Sequence, residues 1–272
     1  GANRDVLIGF ENVTVSGNSA GIIGDGASNI LTAEGNFANT ISGGDGGDTV
    51  YGGGGDDSLD GDAGFDEIYG GTGNDRMILG LGDSTDSYFG GAGIDTLDLS
   101  ELDIFMLAVN LATGTYSFGF GLLVAQGLEN VILADGDDSF AGNALENSVD
   151  GAAGNDTLNG GGGNDLLYGG DGNDLISGQP GDDSMYGGLG NDTFFVDSAG
   201  DRVFDGIGEG LVDLVRSSVT FNLISAGGEI ENLTLLDGAA INGTGNALAN
   251  RITGNLQANA INGASGNDAL FG

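Results

Sequence analysis

The chain has 272 residues, with 41 Asp and Glu against 5 basic residues, a formal net charge of −36. A surface of that sign repels nucleic acid and anionic lipid, so neither is expected as a partner. No stretch approaches the roughly 18 consecutive apolar residues of a membrane span, so no membrane insertion is expected either. Cys, His and Lys are absent and every basic residue is Arg, which excludes disulfides, thiolate and imidazole metal ligands, the usual general base and a Schiff-base amine.

Glycine contributes 58 residues and proline one, while 39% of the chain is hydrophobic. Glycine in such excess without a period marks low complexity, but here the period is strict and a stacked core is feasible. The first residues, GANRDVLIGF, lack the basic region and apolar run of a leader. The last, Gly272, would open a further repeat, so the chain is expected to be a piece of a longer protein.

In chain order, the first unit spans 1–128. Glu11-Asn12-Val13-Thr14-Val15 alternates as a strand does. Two nine-residue frames with Asn at position 6 follow, Gly24–Thr32 (Asn29) and Glu34–Ser42 (Asn39). Acidic frames fill 43–98, with Asp48, Asp57, Asp66, Asp75, Asp86 and Asp95 at position 6 and Val50, Leu59, Ile68, Met77, Tyr88 and Leu97 at position 8. The frame Leu79–Phe89 is two residues longer than the rest. A connector, 99–128, breaks the period; Val109-Asn110-Leu111 and the aromatic run from Tyr116 through Phe118 and Phe120 to Leu122 read as two strands joined near Thr113-Gly114, extending the same core.

The second unit, 129–230, opens on Glu129-Asn130-Val131 and carries repeats over 133–204 and a connector over 205–230. Its position-6 residues are Asp138, Asn147, Asp156, Asp165, Asp174, Asp183, Asp192 and Asp201, the last in a glycine-poor frame. Between Gly151 and Phe195 five frames run without interruption. Phe221-Asn222-Leu223 echoes Val109-Asn110-Leu111. The third unit, 231–272, opens on Glu231-Asn232-Leu233, has Asn250 and Asn259 at position 6, and ends on a frame with Asp268. The three units are expected to form one continuous solenoid.

Each frame reads as a six-residue glycine-rich turn and a three-residue strand, so two frames make a coil of eighteen residues. Strands then stack in parallel on two facing sheets about 4.8 Å apart along the stack, with position 8 pointing between the sheets. Stacking also places one position-6 carboxylate below the next, which is strongly unfavourable without a cation. A hard ion between coils, held by carboxylate and backbone carbonyl oxygens, reverses that sign, and a loose all-oxygen shell suits Ca2+ better than Mg2+. Softer metals find no ligands here.

The frames resemble the GGxGxDxUx nonapeptides of the RTX (repeats-in-toxin) family of secreted bacterial proteins. The resemblance implies an all-β fold, a right-handed parallel β-roll or β-solenoid, several bound Ca2+ ions, and an extracellular or cell-surface location reached by type I secretion of the unfolded chain. On the family pattern the metal ligands are Asp48, Asp57, Asp66, Asp75, Asp86, Asp95, Asp138, Asp156, Asp165, Asp174, Asp183, Asp192, Asp201 and Asp268. Odd frames line one edge of the roll and even frames the other. The Asn frames are expected to stack by side-chain hydrogen bonding and to need no ion. The three Glu-Asn pairs either cap calcium rows or are ordinary surface glutamates beside turn asparagines.

The functional expectation is a non-enzymatic calcium-binding module with a structural, surface-layer, matrix or adhesive role. Its partners are calcium and either further copies, in a lattice or filament, or cell-surface polysaccharide. The alternative is the accessory C-terminal roll of a secreted protease, lipase or alginate epimerase whose catalytic domain lies outside this chain. A paired-carboxylate enzyme is disfavoured because position 6 and its neighbours account for nearly all the Asp. Gly17-Asn18-Ser19-Ala20-Gly21 matches the nucleophile-elbow pattern, but with no His it reads as an ordinary turn. The Gly160–Gly163 run has no Lys to serve a phosphate, and no EF-hand loop occurs.

Overall fold

A three-residue strand with one apolar side chain cannot bury that side chain alone, so stability comes from stacking coil on coil. The computed structural model describes residues 11–17, 21–80, 86–102, 106–117, 123–206, 212–224 and 226–272, and these are all-β with no helix. Short parallel strands stack into sheets, the arrangement of a β-solenoid. The chain divides into two compact units, Gly1–Asp135 and Gly136–Gly272.

In the first unit one sheet stacks Asn12–Ser16, Ile30–Glu34, Thr49–Gly54, Glu67–Thr72, Ser87–Ala92 and Leu123–Gln126. The other stacks Gly21–Ile23, Thr40–Ser42, Ser58–Asp60, Arg76–Ile78, Thr96–Asp98 and Asn130–Ile132. The register follows the frames: Val50 pairs with Ile68 and Leu59 with Met77. The long frame is absorbed in its turn, because Ile68 still pairs with Tyr88 and Tyr69 with Phe89. Its residues 81–85 lie outside the described residues, as do the centre of the Gly17–Gly21 motif and residues 118–122 of the aromatic run.

The connector contributes a hairpin. Ala108–Asn110 pairs antiparallel with Thr115–Ser117, which pairs antiparallel with the start of Leu123–Gln126. Gly114, at φ 64°, makes the turn, and the Thr113 N–H donates to Asn110 Oδ1 at 2.9 Å. Tyr116 is fully buried, 6.0 Å from the Tyr88 ring, and its hydroxyl donates to the Asp86 carbonyl at 3.1 Å. This aromatic residue is core.

In the second unit one sheet stacks Ser139–Ala141, Thr157–Asn159, Leu175–Ser177, Thr193–Val196, Leu214–Ser217, Asn232–Leu235, Arg251–Thr253 and Ala269–Phe271. The facing sheet holds Ser148–Asp150, Leu166–Asp171, Ser184–Leu189, Arg202–Asp205 and Gly227–Gly228. Phe221–Asn222 joins a separate parallel sheet with Gly243–Thr244 and Ile261–Asn262, so its likeness to Val109-Asn110-Leu111 does not extend to strand pairing.

The position-8 side chains form the core: Val50, Leu59, Ile68, Met77, Tyr88 and Leu97 in one unit, Leu158, Leu167, Ile176, Met185 and Phe194 in the other, are at most 1% exposed. Position 9 faces outward, and there Tyr51, Tyr69 and Phe89 stack at 4.9 and 4.8 Å, and Tyr168, Tyr186 and Phe204 at 4.7 and 4.6 Å. Those spacings match the strand repeat, so each ring sits on the one below.

Candidate metal centre

Position 6 lies just before each strand, where its backbone N–H points along the stack. That N–H donates to Oδ1 of the position-6 residue one coil later. Asp48 bonds to Asp66 at 2.6 Å and Asp66 to Asp86 at 2.8 Å along one edge. Along the other, Asp57 bonds to Asp75 at 2.9 Å and Asp75 to Asp95 at 2.8 Å. In the second unit Asp138, Asp156, Asp174 and Asp192 form one such rail and Asn147, Asp165, Asp183 and Asp201 the other, with steps of 2.7–3.1 Å. Asn250 bonds to Asp268 in the same way at 3.0 Å.

The rails bury their carboxylates. Thirteen of the fourteen sequence-derived candidates are at most 8% exposed, and Asp268 is half-buried. With Oδ1 committed to the rail, Oδ2 is the informative atom. Among the described residues it has no hydrogen-bond partner in Asp48, Asp57, Asp75, Asp95, Asp156, Asp165, Asp174 and Asp183. Two candidates differ. Asp86 Oδ2 accepts from the Tyr88 hydroxyl at 3.2 Å, and Asp201 Oδ2 accepts from the Asp197 and Ser198 N–H groups, each at 3.0 Å.

Each orphaned oxygen faces the Cα of its frame's position-1 glycine. A Cβ on Gly52 would lie 2.6 Å from Asp57 Oδ2 and 2.7 Å from the Gly70 carbonyl oxygen one coil on. On Gly43 it would lie 2.5 Å from both Asp48 Oδ2 and the Gly61 carbonyl. Glycine is therefore required for close approach, which brings carboxylate and carbonyl oxygens together at each turn. Such a donor set fits a hard cation such as Ca2+.

The Asn frames show how the same position is satisfied without an ion. Asn39 Nδ2 donates to the Phe37 carbonyl at 2.5 Å and to Asp57 Oδ1 at 2.9 Å. Asn250 Nδ2 donates to the Ile230 carbonyl at 3.2 Å, and Asn259 Nδ2 to the Ile241 carbonyl at 2.7 Å. An amide brings its own donor to oxygens that a carboxylate can only repel. Stacked carboxylates about 5 Å apart repel by about 3 kcal/mol per pair at an effective dielectric of about 20.

Electrostatics carry the same message. Burial pushes the carboxyls of Asp57, Asp86, Asp95, Asp165, Asp174 and Asp183 up to about 6, and that of Asp156 to about 7, against the opposing rail hydrogen bonds. Burial also raises Asp48 and Asp75. Without a cation these groups hold protons far more readily than ordinary aspartates.

Four acidic residues lie beyond the counted frames: Glu129 and Glu231, which the sequence left as either row caps or ordinary surface glutamates, and Asp213 and Asp205, which the count passed over. The Asp95 N–H donates to Glu129 Oε2 at 2.9 Å, the Asp192 N–H to Asp213 Oδ1 at 2.8 Å, and the Asp213 N–H to Glu231 Oε2 at 2.9 Å. Glu-Asn-Val and Glu-Asn-Leu are thus positions 6 to 8 with Glu in place of Asp. Val131 stacks on Leu97 and Leu233 on Val215, in the core register. Asp213-Leu214-Val215 kept the Asp-x-apolar signal, but Asp213 stands 21 residues after Asp192 instead of the regular 18, so the count ran past it. The fourth, Asp205, lies within a 4.8 Å cluster with Asp192 and Asp213.

A second ladder was not anticipated. Position-5 residues donate in the reverse sense: Asn155 N–H to Asp137 Oδ1 at 2.8 Å, then Asn173 to Asn155 and Asn191 to Asn173, each at 2.9 Å. The turns are clamped from both directions.

Stacked parallel coils with rails of buried carboxylates over glycine carbonyls define a solenoid whose turns are lined with oxygen donors. The family model for the RTX calcium-binding nonapeptide repeat matches residues 35–68, 54–85, 67–97, 134–167, 160–194, 168–203 and 244–272. The chain belongs to this family, and its roll is a structural calcium-binding module. A comparison with curated proteins finds no match.

Proposed function

We propose that the chain is the calcium-loaded structural part of a secreted bacterial protein, exported unfolded by type I secretion and folding on extracellular Ca2+. Ions lie between successive coils, held by Oδ2 of Asp48, Asp57, Asp75, Asp95, Asp156, Asp165, Asp174 and Asp183 together with glycine-turn carbonyls. Asp66, Asp138 and Asp192 continue the same rails and belong to the set; Asp86, Asp201 and Asp268 sit at its margins. The observation that carries this reading is the row of buried Oδ2 atoms without protein partners, beside Asn frames that supply their own donors. Rigid when loaded, the roll serves as a surface-layer, matrix or adhesive element. Support for an assembling role is the long repetitive face, which offers the same chemistry coil after coil to a second copy or a polysaccharide.

Circular dichroism of calcium-stripped chain, titrated to millimolar Ca2+, tests the proposal. Cooperative gain of β structure is expected. A stripped chain already fully folded at pH 8 would overturn it. Electron microscopy and sedimentation in the same series test assembly, which predicts ordered particles only with calcium.

A further inference from the structure

The regular frame has glycine at position 1 because the neighbouring Oδ2 leaves no room for a side chain. Some frames open on an apolar residue instead, as at Leu79 and Val196, and one opens on a buried aspartate. Tyr186 pairs with Phe204, so Asp205 stands one coil beyond Gly187, in the position-1 slot. A Cβ on Gly187 would press against Asp192 Oδ2 and lie 2.8 Å from Asp205 Oδ1, so both carboxylates reach over the same Cα. Asp213 completes the group: its Oδ1 takes the Asp192 N–H, while its Oδ2 is buried without a hydrogen-bond partner among the described residues. One oxygen from each of the three lies within 4.8 Å of the others, and the residues are 0%, 3% and 0% exposed.

We propose that Asp192, Asp205 and Asp213 form a three-carboxylate site for one hard divalent cation, Ca2+ first, distinct from the repeat sites. Two oxygens bound to one Ca2+ at 2.3–2.6 Å are separated by at most about 5 Å, which the cluster satisfies. Three carboxylates withdrawn from water are tolerated only when neutralised together. A repeat site offers fewer charges and more carbonyls, and ligand charge count is what tightens calcium sites. This site should therefore fill first as calcium rises, and it would order the coil that follows the last glycine-rich frame. Asp192 and Asp213 continue a rail of the repeat array proposed above; Asp205 does not, and it is what sets this site apart.

The test is calcium binding by the full chain, by isothermal titration or flow dialysis, for wild type, Asp205→Gly, Asp205→Asn and the control Asp48→Asn. Asp205→Gly restores the regular glycine, and Asp205→Asn keeps shape without charge, so the second carries the test should the first not fold in saturating calcium. Wild type is expected to bind one ion at least tenfold more tightly than the rest. Both Asp205 variants should lose that ion and keep the weaker ones, whereas Asp48→Asn should lose only weak binding. Unchanged isotherms in both Asp205 variants would overturn the site, as would a wild type that binds several ions of one weak class; the cluster would then share a proton instead. A wild type that binds no calcium overturns the repeat-site reading as well, which separates the two failures.

Discussion

The backbone N–H of Asp165 donates to Oδ1 of Asp183, eighteen residues on, at 2.8 Å, while Oδ2 of each residue is buried without a protein partner. One carboxylate thus has two jobs: an oxygen holds the register between coils and the other, on the function proposed above, binds the cation.

Separating the two jobs by mutation follows directly. Asp183→Ala removes both, leaving the Asp165 N–H unmet, and should cost about 1–3 kcal/mol even before the ion is counted. Asp183→Asn keeps the acceptor and adds a donor, as Asn39 has. It should lower calcium stoichiometry yet raise the stability of the calcium-free chain, read from urea melts. Equal calcium stoichiometry in wild type and Asp183→Asn would show the register assigned to the ion is wrong.

Asp165→Ala removes the acceptor for the Asn147 N–H, and its ion is the one shared with Asp183, because Asn147 stands on the other side. Calcium stoichiometry should fall, with little effect in the first unit. The measurement is dialysis equilibrium alongside amide hydrogen exchange, which should loosen around 147–183.

Glycine substitutions divide by position. A Cβ on Gly169 would meet Asp174 Oδ2 and lie 2.5 Å from the Gly187 carbonyl oxygen, so Gly169→Ala should abolish the ion there and destabilise by about 1–3 kcal/mol. Gly162 has its nearest atoms at 3.8 Å, and Gly162→Ala should be neutral or stabilising by up to about 1 kcal/mol. Thermal melts in saturating calcium distinguish them.

Acid should substitute in part for calcium. Burial raises Asp57, Asp165, Asp174 and Asp183 to about 6 and Asp156 to about 7, from ordinary values near 3.8. Without calcium the folded chain therefore binds more protons than the unfolded one between about pH 4 and 7, and its stability falls as pH rises through that window. Calcium-stripped chain should be more folded at pH 5 than at pH 8, and calcium binding at pH 6 should release protons. A stability that rises from pH 5 to 8 in stripped chain would contradict this.

Much of the architecture was readable from residue types alone. Position 8 needs one apolar residue per nine, and Ile176, Met185 and Phe194 lie where that period puts them. The rails of Asp156, Asp174 and Asp192 follow from the same count. The hairpin at Asn110–Thr115 was visible in its alternation and its glycine turn. For Glu129 and Glu231 the sequence left two readings open, a row cap or a surface glutamate, because a longer acid one position before Asn distinguishes neither until the N–H it accepts is known.

A nine-residue period with one carboxylate and one apolar residue per repeat was enough to dictate parallel stacking, a thin apolar core and the need for a hard cation. Those conclusions depend on local chemistry that recurs unchanged along the chain. Which oxygens are left over, and that Asp205 enters a slot meant for glycine beside Asp192 and Asp213, depended on the register of whole coils. Where frames lengthen or lose their glycines the count fails, and the pairing of strands such as Ser184–Leu189 with Arg202–Asp205 settles which carboxylates meet.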